Sequence, residues 1–422
     1  MITPGLRWEL NPSPEAAPST YFLDPQTGTF FDRNNRLLWP VPHTNFAPRL
    51  GGAWRVRKSG RTVLRAGGGL FYDSSLSIAT DLINSGPFNI TQLTNSSHSP
   101  FSSLLSYAFS PNLRLPRLTE WNFTLDQALG THDALSIGYV RSTGRRLFRR
   151  EVGGPGNTPT ALFALTTNSG ASAYHGLQVQ YRRKVLQGFQ SLVSSSWAHS
   201  LDNDSSDAFL MWAGPGASPR LDRASSDFDL RHSVTAALTY ELPARPTGIG
   251  RWLDGWAIDS LIRARTGFPI SVLLNEQYQG IALANAFRPD RLLNQPIWLA
   301  DNSAPGRKRL NRAAFQATSD GTQGTLGRNS IPGFAMGQVD LALRREFHVR
   351  DRKVIQVRLE AFNVLNEANF ADPVKFLSSA VFGQSTSMLN LMLGTGSPGS
   401  GLSPILQTGG PRSLQGAVRF RF

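Results

Sequence analysis

The chain has no cysteine, which excludes a disulfide framework, thiolate catalysis and thiolate-bound metal. Nor does it hold an apolar run of the roughly 18 to 20 residues that a membrane helix needs. The opening stretch MITPGLRWEL lacks the basic n-region and apolar h-region of a secretory signal, so export by that route is not expected of the chain as written. The seven histidines form neither HExxH nor a close pair, which leaves no recognisable zinc motif. No G-x-S-x-G elbow offers a hydrolase serine. Charge is sparse at 17% of residues and unbalanced, with 43 Lys and Arg against 29 Asp and Glu and a net charge of +14. No dense basic run is interleaved with stacking aromatics, so the surplus reads as a basic interior wall and basic loops facing anionic lipid heads, and not as a nucleic-acid surface. The expectation is a protein that is not an enzyme and takes no cofactor.

What is present is alternation. The 39 Gly and 27 Pro among 422 residues suit many short strands and turns. In KVIQVRLEAFNVLNEANF (353–370) Ile355, Val357, Leu359 and Ala361 share one face, while Gln356, Arg358 and Glu360 share the other, because successive strand side chains point to opposite sides. One such strand does not say which solvent lies outside. The pattern recurs, however, giving twelve candidate strands near 2–10, 45–56, 61–72, 118–129, 134–143, 174–183, 189–199, 230–242, 252–266, 336–347, 353–365 and 413–422. Short links at 57–60, 130–133, 184–188 and 348–353 alternate with long ones at 73–117, 144–173, 201–229, 267–335 and 366–412.

Soluble domains rarely hold many structureless loops of that length. A membrane β-barrel does, with tight turns on one side and long loops on the other. About 9 to 11 tilted residues cross a bilayer, which fits the candidates. Trp54, Tyr72, Trp121, Tyr139, Trp197, Tyr240 and Trp252 gather near strand ends, where an interfacial girdle would sit. The last strand, SLQGAVRFRF, sets Leu414, Gly416, Val418, Phe420 and Phe422 opposite Gln415, Arg419 and Arg421. Parity over twelve strands puts both termini on the short-turn side. The fold expected is all-β: an antiparallel transmembrane barrel with lipid outside and water or a polar plug inside.

Several stretches in order carry a resemblance: NFAPRLGGAWRV (45–56), RTVLRAGGGLFYD (61–73), EWNFTLDQAL (120–129), LSIGYVRSTGRRL (135–147), YHGLQVQYRRK (174–184), SSSWAHSLDN (195–203), SDFDLRHSVTAALTYELP (226–243), NRAAF (311–315), LGRNSIPGF (326–334) and VDLALRREF (339–347). Together they resemble the C-terminal barrel region of TonB-dependent receptors of the Oar-like group, an outer-membrane family. The resemblance implies residues 1–422 as the C-terminal portion of a barrel of about 22 strands, with signal peptide, TonB box and plug absent from this sequence. It implies short periplasmic turns, long extracellular loops, contact with outer-membrane lipid and lipopolysaccharide, and recognition by the barrel assembly machinery through Phe422. Coupling to the TonB system would run only through the absent plug. The functional expectation is the wall and ligand-facing loops of a transport receptor, ligand unknown; the alternative is a passive pore or adhesin made by a self-closed barrel.

Three local patterns have competing readings. Gly394, Gly396 and Gly399 spell G-x-G-x-x-G, but Pro398 interrupts it and no helix start follows, so a loop is expected. Asp202, Asp204 and Asp207 gather oxygen ligands of the kind Ca²⁺ takes, without the Gly and closing Glu of a calcium loop, so a solvated acidic loop is favoured over a cation site. His199 and His232 are expected as hydrogen-bonded wall residues.

Overall fold

The computed structural model describes residues 1–10, 21–23, 30–32, 41, 43–56, 60–73, 91–94, 102–110, 113–153, 161–205, 210–212, 219–243, 254–276, 287–319, 322–350, 353–393 and 408–422. Twelve wall strands follow one another in the chain: β1 (Ile2–Trp8), β2 (Phe46–Arg55), β3 (Thr62–Tyr72), β4 (Arg117–Leu129), β5 (Asp133–Gly153), β6 (Ala161–Leu186), β7 (Phe189–Asp202), β8 (His232–Glu241), β9 (Trp256–Arg265), β10 (Met336–Arg350), β11 (Lys353–Phe362) and β12 (Ser413–Arg421). Each pairs antiparallel with the next, from β1–β2 through β11–β12. Among the described residues β1 has only β2 beside it and β12 only β11, so the meander has two free edges.

The register sorts the alternating residues onto two unlike faces. One face carries Leu50 (59% exposed), Trp54 (62%), Trp197 (60%), Leu359 (55%) and Val418 (58%) with no protein layer over them. Exposed aromatics and aliphatics on this scale far exceed the patch a water-soluble surface carries. The opposite face is polar and bonded across strands. Asp259 on β9 accepts from Thr239 Oγ1 on β8 at 2.8 Å, Arg344 Nε on β10 at 3.1 Å and Arg358 Nη1 on β11 at 3.2 Å. Glu346 accepts from Gln356 at 2.8 Å and Arg421 at 2.7 Å, extending the network over β8–β12.

Aromatics mark two levels on the apolar face. Trp8, Phe46, Trp121 and Trp197 lie toward the long-loop end; Trp54, Tyr240 and Phe347 lie toward the short turns, and all seven are exposed. From Phe46 to Trp54 along β2 is eight residues, about 27 Å of strand and about 21 Å along the normal at a tilt of about 40°. That is close to the roughly 25 Å apolar band of a membrane barrel. Arg345 breaks the apolar face near the short-turn end and lies over the Trp256 and Phe347 rings, 5.4 and 4.7 Å from their centroids. A guanidinium at that level reaches the interface along aromatic rings.

The short turns explain the register. Leu186 and Phe189 pair across a two-residue turn in which Gln187 and Gly188 both have positive φ, 51° and 79°, as the tight hairpin turn of right-twisted strands requires. A Cβ at Gly188 would sit 2.2 Å from the Glu241 carbonyl oxygen, so only glycine lets β8 approach. Of the short links, 57–59 and 351–352 lie outside the described residues, as does Trp252.

Two expectations need correction. The strands expected at 134–143 and 174–183 run instead over Asp133–Gly153 and Ala161–Leu186, so most of the expected loop 144–173 is a paired hairpin with a register shift between Thr167 and Ala171. Beyond the bilayer neither face meets hydrocarbon, and the buried positions there include Arg149 (2% exposed) and Thr166 (3%), so the period-two signal fades while backbone pairing continues. The loop expected at 73–117 likewise contains strands at Thr91–Thr94 and Ser102–Phe109, the latter lying parallel to β6 from Ala161.

The apolar face as a hydrocarbon contact sets a cost. Leu359→Arg, in the middle of the bare face of β11, is expected to destabilise the folded chain by about 2 to 4 kcal/mol, read by urea titration in lipid vesicles. Gln356→Arg, on the polar face of the same strand, should cost under about 1 kcal/mol.

Candidate functional site at the long-loop end

The segments 287–319, 322–335 and 366–388, together with 267–276, fold into a cap. Its core is Ile270, Val272, Leu274, Phe287, Leu310, Phe315, Leu326, Ile331, Leu377 and Phe382, each 7% exposed or less. Three two-stranded ladders frame it: Pro269–Ile270 with Ile331–Pro332, Asp290–Arg291 with Phe315–Gln316, and Trp298–Ala300 with Lys308–Leu310. Phe315 meets Phe382 edge-on at 5.9 Å, and Lys308 Nζ stands 4.4 Å over the Trp298 ring. In NRAAF, Asn311 caps its turn by accepting from Ala313 N at 3.1 Å and donates to Pro296 O at 2.9 Å. The long connections 267–335 and 366–412 are thus not structureless over their described parts; they bury a hydrophobic core of their own.

Arg328, inside LGRNSIPGF, locks this cap to the loop after β7. Its Nε donates to Asp222 O at 2.9 Å, Nη1 to Ser205 Oγ at 3.1 Å and Asp227 Oδ1 at 3.4 Å, and Nη2 to Asp202 O at 2.9 Å and to the Asp202 carboxylate. A guanidinium has five N–H donors, and all five are used. Beside it Asp222 accepts from Arg149 at 2.6 Å and Arg288 at 3.2 Å, joining the outer end of β5 to the cap. Burial lowers the Arg288 pKa from its usual range, with Asp222 opposing the shift. Asn329, at φ 50°, donates to Ser225 O at 2.8 Å and Asp227 Oδ1 at 2.5 Å.

Of the sequence candidates, Asp202 falls in this lock. Asp202 is 3% exposed and bound to Arg328, and it accepts from Ser205 Oγ at 2.8 Å. Its carboxylate is occupied by a cation that the protein itself supplies. Asp204 stands two residues on, whereas Asp207 and the glycines 394, 396 and 399 lie outside the described residues. Among the described residues no three or more His, Asp or Glu side chains are grouped to hold a metal ion. His199 Nδ1 lies 2.9 Å from Asp229 Oδ2, and His232 stacks on Trp197 at 6.2 Å; the first is the hydrogen-bonded wall residue expected, the second an aromatic neighbour. Phe422 is 91% exposed at the end of β12.

The asparagines that close KVIQVRLEAFNVLNEANF are structural ties. Asn363, 1% exposed, donates to Glu367 O at 2.9 Å and Gly410 O at 3.0 Å, and its backbone N–H donates to Asp340 at 2.9 Å. Asn369 exchanges bonds with Gly337 N and O at 2.9 and 3.1 Å. They pin the chain to the outer end of β10 as it leaves the wall.

A strand meander with an exposed apolar band, a polar inner face and a loop cap at one end defines a membrane β-barrel wall. The profile of the outer membrane beta barrel domain matches residues 1–391, and the chain belongs to that family; its location is the cell outer membrane. No curated protein matches the sequence. Among solved structures, the chain is similar in fold to the outer membrane transporter YddB from Escherichia coli, with a TM-score of 0.52 and 11% identity over 90% of this chain and 41% of that one. The FrpB iron transporter from Neisseria meningitidis matches at 0.48 and 13%, over 100% and 43% respectively. The ferric enterobactin receptor PfeA from Pseudomonas aeruginosa matches at 0.48 and 9%, over 89% and 40%. The chain therefore spans about two fifths of the length of these proteins.

Two measurements probe the cap. Arg328→Met leaves the Asp202 carboxylate and two carbonyls buried without their donor, and should cost about 3 to 5 kcal/mol, seen as faster amide exchange in 267–335 with exchange in β8–β11 unchanged. Asp372, in the cap, has its pKa pushed up to about 6 by burial, with Arg265 and Lys375 opposing. A raised acid pKa favours the folded cap below the ordinary value of 3.8 and loses that margin as pH climbs through about 6. Asp372→Asn should therefore slow cap exchange at pH 7.5, by on the order of 3 kcal/mol as an upper bound, and leave it unchanged at pH 3.5.

Proposed function

We propose that the chain supplies wall strands and ligand-facing loops of an outer-membrane transport receptor of the TonB-dependent type, resembling the Oar-like group. The observation that carries this reading is the cap: a passive opening has no need of loops that bury a hydrophobic core and lock it to the wall through Arg328. Such a rigid platform is suited to hold binding side chains in fixed positions. The polar face below it, bonded across β8–β12, suits an aqueous interior filled by a plug.

In this reading the twelve strands are part of a larger barrel of about 22 strands. The two free edges support it, because an unpaired strand edge in hydrocarbon costs several kcal/mol for each backbone group. The span of about two fifths of YddB agrees with it. Energy coupling then resides in a plug outside these 422 residues, and the chain by itself gates nothing. Contact with outer-membrane lipid and lipopolysaccharide, and recognition of Phe422 by the barrel assembly machinery, belong to the same proposal.

Refolded alone and added to planar bilayers, the chain should give no long-lived conductance step. A stable ohmic channel would assign it instead as a self-closed passive pore.

A further inference from the structure

On the lipid-side face one registered row runs Leu50, Gly68, Trp121 across β2–β4 and continues as Arg141 on β5, His175 on β6 and His199 on β7. Neighbours in such a row stand about 5 Å apart, so the row turns from apolar to basic within one strand spacing. Arg141 and His175 are exposed, and neither makes an ion pair among the described residues. His199 is held by Asp229 at 2.9 Å and lies 3.4 Å from Arg231 Nη2. Asp229 is the carboxylate of this patch; it is 6% exposed and also accepts from Ser200 N at 2.8 Å. Aromatic belts mark where hydrocarbon gives way to headgroups. A basic row directly beside Trp121 and Trp197, at the long-loop end, stands where lipid phosphates lie.

A second observation adjoins the row. Beside Trp121 the apolar face sinks into a groove of about 990 Å³, floored by Gly52, Ala66 and Gly68 between Leu50, Trp54 and Trp121. Missing side chains on a face otherwise lined by large ones leave a lengthwise hollow. In a bilayer that hollow is filled by hydrocarbon, since an empty one forfeits dispersion contacts on every wall.

We propose that row and groove together seat one phosphate-bearing acylated lipid of the outer leaflet. Its phosphate lies on Arg141 and His175, with the His199–Arg231 pair flanking, and an acyl chain lies along the glycine floor below Trp121. The assignment rests on the proposed reading in which the long-loop end faces the outer leaflet, but not on ligand transport or on the larger barrel. It makes the contact one placed lipid in a defined seat, distinct from the general annulus around the wall.

The test is native mass spectrometry of the full chain in detergent, with bis-phosphorylated lipid A as probe. The wild-type chain should retain one lipid through detergent exchange. The double variant Arg141→Ala/His175→Ala should lose at least about tenfold in affinity, the scale of charge-assisted hydrogen bonds. Gly52→Leu should weaken binding as well by filling the groove, since a Cβ there meets nothing closer than the Met1 carbonyl oxygen at 3.7 Å. On the unaltered chain, lipid A stripped of its phosphates should bind as weakly as intact lipid A binds to the double variant, and excess pyrophosphate should not displace the intact probe. Equal retention of phosphorylated and dephosphorylated probe overturns the proposal, as does displacement by pyrophosphate. The comparison of the two probes needs no variant to fold.

Discussion

Everything in this wall follows from the obligation to pair backbone amides and carbonyls where no water can reach them. A strand cannot satisfy its own groups, so each must lie beside another over the full depth of the bilayer. The eleven consecutive antiparallel ladders do this. The obligation fixes register, and register decides which residues meet lipid. It also explains why glycine stands at Gly188 and Gly255, where a Cβ would strike the Glu241 and Glu346 carbonyl oxygens at 2.2 and 2.4 Å. Those carbonyls must come close so that the following strand can enter the sheet without leaving a group unpaired.

The same obligation explains what the sequence could say and what it could not. Where two solvents border a strand, every second residue reports one of them. Leu359 and Val357 against Arg358 and Glu360 are legible for that reason, and all twelve wall strands have counterparts among the candidates. Residues 144–153 and 161–173 lie beyond the hydrocarbon, where polar residues such as Arg149 are buried against polar partners, and RSTGRRLFRREVG has no oily side to betray the strand it forms. The cap was hidden for another reason. Its core residues Ile270, Leu310, Ile331 and Phe382 come from irregular segments with no fixed period, brought together by tertiary contacts that no local window contains. Arg328 was visible only as part of LGRNSIPGF. An arginine followed by asparagine, a residue that tolerates positive φ, three residues ahead of Ile331 was the available hint, and it named neither Asp202 nor Asp222 as partner.

The Asp202 outcome shows how burial reverses a compositional reading. Acidic residues clustered in a polar stretch look like solvated oxygen ligands. Enclosed beneath the cap, the same carboxylate must be neutralised at close range, because an uncompensated buried charge costs several kcal/mol. Arg328 meets that need with two bonds to Asp202 and three more to Asp222, Ser205 and Asp227. Asp202 is an anchor for the loops, and its chemistry is spent on architecture.

Charge on the inner face has been spent in a similar way. The net charge of +14 suggested a basic lumen, yet over β8–β12 the arginines Arg344, Arg358 and Arg421 face Glu241, Asp259, Glu346 and Glu360 within 3.2 Å of at least one carboxylate each. With Arg263 facing Asp340 at 3.4 Å and with Arg265 and Arg419 on the same face, six arginines stand against five carboxylates and leave this stretch close to neutral. Pairs partly open to water are worth about 1 kcal/mol or less apiece, so they do not hold the sheet together; hydrogen bonding and lipid contact do that. What they change is the wall's readiness to bind. A guanidinium already bridging two strands offers few free donors to a passing anion, so this inner face is a poor trap for solutes. The chain's surplus positive charge lies outside this near-neutral stretch, in part at Arg141 on the outward face.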